Sequence, residues 1–148
     1  MSPEDRPPTK STPQSAAAPP RSQHAFPAEH AGAASLPAVR GRADVSAHDG
    51  ELARVFGTYR EVDVRMRPEG EPRLVGHVAI ELADGKRVSL LPVWDDDARR
   101  PEAEVARFRG RAVVVVGTVE ERAPEDPDGG ASPTGPCVWD VKALSLAE

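Results

Sequence analysis

The run AVVVV, residues 112–116, is the longest uninterrupted apolar stretch of the 148-residue chain and sits between Gly110-Arg111 and Gly117. A membrane-crossing helix needs about 20 apolar residues, so this run covers only about a quarter of a span. Valine branches at Cβ, which stiffens χ1, makes it a poor helix former and favours strands. A strand that is apolar at consecutive positions must be covered on both faces, or nearly so. The chain has room for one ordinary domain. The run therefore predicts the central strand of a closed or strongly coiled barrel with a helix over one side. A carboxylate at Val114 or Val115 is expected to unfold such a domain.

Period-two patterning supplies the neighbours of that strand. Residues 52–67 are rich in β-branched and aromatic types and alternate in their second half. There Val62, Val64 and Met66 face one way, and Glu61, Asp63, Arg65 and Arg67 the other. After a turn at 68–72, residues 73–82 alternate again, with Val78, Ile80 and Leu82 inward. Asp84-Gly85 then reads as a hairpin turn into a strand at 87–94, with Val88 and Leu90 inward. Between 99 and 110 the period changes. Pro101 stands at the expected first helical position, Glu102 and Glu104 near the positive end of the dipole, and Gly110 as a stop. Val105 and Phe108, with Ala103 nearby, make a narrow stripe suited to a short plug-like helix. The last strand is 136–146.

The N-terminal part is different in kind. Residues 1–48 hold eight of the 16 prolines, 11 alanines and a single aromatic, Phe26. Without sustained periodicity such a segment cannot bury enough apolar surface to offset its ordering entropy. A disordered Pro/Ala-rich tail over 1–48 and a folded domain over 49–148 are expected. Within the tail, residues 35–45 are the most apolar and basic part and a candidate for ordering on a partner.

Charge narrows the partners. Residues 49–148 carry 14 basic and 20 acidic groups, a balance of −6, and residues 1–48 carry five and four, a balance of +1. An acidic domain disfavours nucleic acid without excluding a local basic groove. Cys137 is the only cysteine, so neither an internal disulfide nor a thiolate metal cluster is available. The first residues show no apolar secretory core, which predicts a cytoplasmic location and no membrane contact. The 16 arginines against three lysines, with the excess of Ala, Pro, Gly and Val, look like the codon bias of a GC-rich bacterial genome.

The order strand, strand, strand, short helix, strand, strand resembles the bacterial OB-fold, a five-stranded Greek-key barrel. Val55-Phe56-Gly57-Thr58-Tyr59 and Val115-Val116-Gly117-Thr118-Val119 each place a glycine mid-strand, where a long barrel strand bends or bulges. The passage from Phe108 through Gly110 and the valines to Gly117 is similar to the helix-to-strand joint of such domains. The resemblance covers roughly residues 50–148 and its motifs are of topology grade. A small SH3-like barrel is the competitor, and its helix content and strand lengths fit less well.

The resemblance implies a ligand face on the second and third strands. That face would present His77, Ala79, Glu81, Arg87, Ser89 and Leu91, with Tyr59, Arg67, Arg73 and Trp94 flanking it and with loops at 67–72 and 123–135. Single-strand binders need aromatic platforms in a positive groove. This face has no aromatic, and the 123–135 loop is acidic and proline-rich. Tyr59, Trp94 and Trp139 are expected mainly as core or rim residues.

An enzyme is not expected. His24, His30 and His48 fall in the expected tail, leaving His77 alone, and no metal-ligand spacing, phosphate loop or nucleophile elbow occurs. Asp95-Asp96-Asp97 reads as a solvated loop and Cys137 as a small packing residue. No catalytic, cofactor or metal-binding residue is therefore assigned, and no cofactor is expected. The leading expectation is a non-enzymatic module that binds or assembles with another protein. The alternatives are a single-stranded nucleic-acid binder and a small-ligand or carbohydrate-binding barrel.

Overall fold

The computed structural model describes residues 25–63, 69–92, 94–129 and 135–147. Its elements in chain order are β1 (Ala38–Val39), α1 (Arg42–Ala47), β2 (Glu51–Glu61), β3 (Val78–Glu81), β4 (Arg87–Leu90), α2 (Glu102–Phe108), β5 (Ala112–Glu120) and β6 (Cys137–Leu146). Single 3-10 turns occur at Ala33–Ser35 and Asp96–Ala98.

The sheet closes on itself. The hydrogen-bonded order is β1-β2-β3-β4-β6-β5, and β5 pairs back onto β2, so five strands form a barrel to which β1 is added in parallel. β2, β3 and β4 are an antiparallel meander, β5 is antiparallel to both β2 and β6, and β4 runs parallel to β6. With α2 between β4 and β5, this is the mainly β, OB-like arrangement that the element order predicts.

The valine run is the seam. Val113 and Val115 point into the barrel and are fully buried beside Val55, Ile80, Val88 and Leu144. Each fully buried valine contributes about 1.5–3 kcal/mol. Val114 and Val116 point outward, paired with Phe56 and Arg54 of β2 and with Ser145 and Ala143 of β6. Val116 is nonetheless only 3% exposed.

What covers the outer valines is the chain segment expected to be tail. The Leu144 N–H donates to the Pro27 carbonyl at 2.8 Å, on β6. Residues 28–34 then lie over Val114, Val116 and Ala143. The Arg54 N–H donates to the Pro37 carbonyl, and Ala38 and Val39 pair with Arg54 and Val55 of β2. This arm thus crosses β6, β5 and β2 from the outside. Val39 of β1 and Val45 of α1 are fully buried, and Phe26 packs against the core. The expected domain boundary at residue 49 is therefore too late, because residues 25–48 supply the second covering layer of β5. Residues 1–24 lie outside the described residues.

Strand lengths differ from the expectations for a local reason. β2 ends at Glu61, β3 is confined to Val78–Glu81, and the expected alternation through Val64, Met66 and Arg67 lies outside the described residues. Gly76, with φ 95°, donates its N–H to the Glu61 carboxylate and accepts from the Arg100 N–H. Those bonds hold the segment before β3 against the α2 approach rather than in the sheet. β4 ends because Leu91 adopts φ 72° ahead of Pro92.

The two mid-strand glycines have different causes. At Gly117 the β5–β6 register shifts between Val116 and Thr118, as expected of a bulge. At Gly57 the β2–β5 register is unbroken, and the requirement is room. A Cβ there would stand 2.4 Å from the Glu81 carbonyl oxygen.

Candidate functional site

Helix α2 plugs the barrel mouth through Val105 and Phe108, whose ring centroid lies 5.7 Å from that of Tyr59. Around this plug a polar cluster is fully organised. Arg100, 2% exposed, forms a two-pronged bond with Glu104, each prong 2.8 Å, and donates to the Asp97 carbonyl at 2.8 Å. Its guanidinium lies 3.8 Å from the centre of the Phe26 ring, and the Tyr59 hydroxyl donates to Glu104 at 2.8 Å. Burial and the Glu104 carboxylate push the Tyr59 phenol above its ordinary value. The cluster is satisfied within itself, so it is a structural lock. Tyr59, expected as a possible flanking residue, is a core residue.

The face implied by the fold resemblance is largely closed. Ala79 and Leu91 are buried, and so is Cys137, which stands opposite Ser89 on the same face of β6. Of the expected contact residues, Arg87 is exposed and Ser89 half-buried, while Glu81 pairs with Arg60. Leu91 is thus corrected from surface to interior, because its left-handed backbone breaks the strand alternation. His77 is half-buried at an isolated bridge to Arg99, and its Nδ1 is buried without a hydrogen-bond partner among the described residues. Burial, then the Arg99 and Arg73 charges, lower its pKa. Arg73 is exposed and its N–H donates to Asp63, and Arg67 lies outside the described residues.

Trp94 does not offer a free stacking platform. Its Nε1–H donates to the Pro124 carbonyl at 2.8 Å, and the concavity beside it is walled by Asp95, Asp96, Asp97, Asp126 and Asp128. Trp139 donates to Glu120 at 3.3 Å. Carboxylates at both indoles repel a phosphate backbone. Among the described residues no group of three or more His, Cys, Asp or Glu side chains could hold a metal ion. No helix among them is long and apolar enough to cross a membrane.

The surface with unused chemistry lies elsewhere, on the outside of β2. Arg54, Phe56, Thr58 and Arg60 occupy alternate positions, and Val114 and Ala112 of β5 stand opposite Phe56 and Thr58. Phe56 is half-buried, with the Arg40 guanidinium 3.9 Å and the Arg54 guanidinium 5.4 Å from its ring centre. Arg54 also donates to the Leu36 carbonyl at 3.1 Å, and Arg60 is bonded to Glu81. The Arg40 side chain is exposed and has no carboxylate partner among the described residues. A concavity of about 430 Å³ opens next to Phe56, bounded by Arg40, Arg60, Glu81, Ala112 and Ala147.

A larger concavity, about 650 Å³, lies between Leu74-Val75 and α2, and Leu74 is 51% exposed there. Its cations are already engaged: Arg109 with Glu61 at 3.2 Å, Arg99 with the Val75 carbonyl, and Arg100 in the buried cluster.

Sequence reasoning missed the Phe56 surface although its signal was present, since residues 54–60 read Arg-x-Phe-x-Thr-x-Arg at period two. The missing half was Arg40, which sits in the expected tail. The segment 35–45, singled out as able to order on a partner, orders on the barrel itself.

Comparison of the chain with family models, curated proteins and solved structures finds no match.

Proposed function

We propose that this chain is a non-enzymatic, cytoplasmic binding module whose barrel docks another protein through the outer face of β2. The observation that carries the reading is Phe56. It is an aromatic ring left half-exposed on the barrel wall, stacked by Arg40 and Arg54, at the edge of a concavity. Aromatic and arginine side chains in such pockets supply most of the binding energy of protein interfaces. The closed state of Ala79, Leu91 and Cys137 and the carboxylates around Trp94 and Trp139 weigh against single-stranded nucleic acid. The buried, unpaired Cys137 is compatible with a reducing compartment.

Capture from cell extract, with the full chain as bait and Phe56→Ala as the matched control, tests the reading. A protein retained by the wild type and lost from a variant with an unchanged melting curve supports it. Retention of nucleic acid alone, released by moderate salt, overturns it.

A small-ligand reading has one observation in its favour. A concavity of about 400 Å³ under the arm is lined by Ala33, Ala34, Val114, Val116, Ala143 and Leu146.

A further inference from the structure

We propose that the Phe56 surface recognises an acidic, apolar peptide: an extended segment of a partner protein in which carboxylate side chains alternate with bulky apolar ones. The inference rests on the protein-binding reading above and specifies its partner.

Three features carry it. The first is sign. The folded part of the chain is acidic overall, yet the concavity beside Phe56 sets Arg40 and Arg60 against one carboxylate, Glu81, while Arg54 and Glu29 lie on the other side of the ring, under the arm. Arg40 has no carboxylate partner among the described residues and holds its guanidinium against the ring face. An incoming carboxylate would complete an ion pair beside an apolar surface that excludes water, where such pairs are stronger than in bulk solvent. Elsewhere, as at the Asp95–Asp97 and Asp126–Asp128 wall, the same peptide is repelled. The surface charge therefore orients the ligand as well as holding it.

The second feature is spacing. Arg54, Phe56, Thr58 and Arg60 project from one strand face at every second residue, a repeat of about 6.6–6.8 Å. An extended peptide has the same repeat on each of its faces. Laid along the part of β2 beyond the arm, it sets an apolar side chain beside Phe56 and carboxylates toward Arg40 and Arg60.

The third feature is the shape of the adjoining concavity. Ala112 and Ala147 are small, Leu82 forms part of the floor, and the volume of about 430 Å³ lies in the lower part of the range for ligand sites, about 300–1,000 Å³. That accommodates a bulky apolar side chain. A stack of successive bases needs more than one aromatic platform, and among the described residues Phe56 is the only aromatic side chain lining this surface.

The probes are three fluorescein-labelled ligands measured by anisotropy against the full chain: a decapeptide alternating Glu and Leu, a decapeptide alternating Lys and Leu, and an oligothymidylate. The Glu/Leu peptide is expected to bind. Binding should weaken by about tenfold or more in Arg40→Glu and in Phe56→Ala. Arg40→Glu changes an exposed side chain, so it reports on charge even if Phe56→Ala perturbs folding. Absence of Glu/Leu binding, or binding that neither variant changes, overturns the proposal. A random-peptide display selection on the full chain then separates the two levels. Selected peptides that lack acidic residues but still require Phe56 would remove the acidic specificity and leave protein binding standing. Binding of the oligothymidylate alone would remove both.

Discussion

Arg99 and Arg100 are adjacent, chemically identical and differently used. Arg99 is exposed at an isolated bridge, while Arg100 is buried in the fork with Glu104. Local sequence separates them only through Glu104, four residues beyond Arg100, and the burial is completed by Phe26 and Tyr59, which lie far away in the chain. Removing one partner of a buried pair leaves an uncompensated charge, so Arg100→Ala is expected to cost about 3–5 kcal/mol in urea unfolding. Tyr59→Phe should cost only about 1 kcal/mol, since Glu104 keeps its fork with Arg100.

Two titrating residues give opposite pH signatures. The Cys137 thiol, ordinarily at 9.0, is pushed up to about 12 by burial, then by Glu120 and Asp95. The unfolded chain releases that proton first, so this contribution to stability is fully present below pH 9.0 and is lost as pH rises toward 12. Cys137→Ala should therefore show a shallower alkaline loss of stability than the wild type, and the wild-type thiol should resist alkylation at neutral pH. His77 is shifted below 6.5, so its contribution is present above that pH and declines as the unfolded chain takes up the proton below it. Flattening of the acid limb in His77→Gln, followed by thermal melts across pH 4–7, is the expected outcome.

At the scale of elements, the valine run was legible as a strand buried on both sides, and so was the bulge at Gly117, whereas the close approach at Gly57 was not. The covering layer was not legible, because α2 plugs the barrel end and leaves the outside of β5 to the arm. The distinction changes the expectation for two substitutions. Val115→Asp buries a carboxylate among Val55, Val88 and Leu144 and should leave no folded protein. Val114→Asp places it on the half-buried outer wall, near Phe56 and beneath the arm, and should lower the melting temperature while leaving a cooperative transition. A fully unfolded Val114→Asp variant would show that the arm packs more tightly than described.

The glycines order similarly. Gly57→Ala drives a methyl group to 2.4 Å from a β3 carbonyl, whereas at Gly117 the nearest atoms are 2.9 Å away beside a bulge. Both should destabilise in the range of overpacked sites, about 1–3 kcal/mol, with Gly57→Ala the larger in denaturant titration.

For the whole molecule, the barrel topology followed from the order of periodic segments, and the domain boundary did not. Composition describes an average, and residues 25–48 are alanine-rich whether or not two of their valines are buried. Val39 and Val45 together represent about 3–6 kcal/mol of apolar burial, a large part of the 5–15 kcal/mol that holds a typical domain together. Truncation at residue 49 is therefore expected to yield an unfolded or aggregating product, seen by circular dichroism. Truncation at residue 25 removes none of the contacts described. The candidate site obeys the same logic: its strand half was readable at period two, but Arg40 reaches Phe56 only through the fold.

The bond between Pro27 and Leu144 has a consequence for the order of events during synthesis. The arm is made first and its dock on β6 is made last, so for most of translation residues 25–34 lack the strands they cover. The outer valines of β5 stay bare from their own synthesis until β6 has followed and the arm closes over them. Closure across so long a separation in sequence is slow relative to local pairing. The nascent chain thus passes through a stage with an apolar strand face open to solvent, and a chaperone that holds such faces would meet it there.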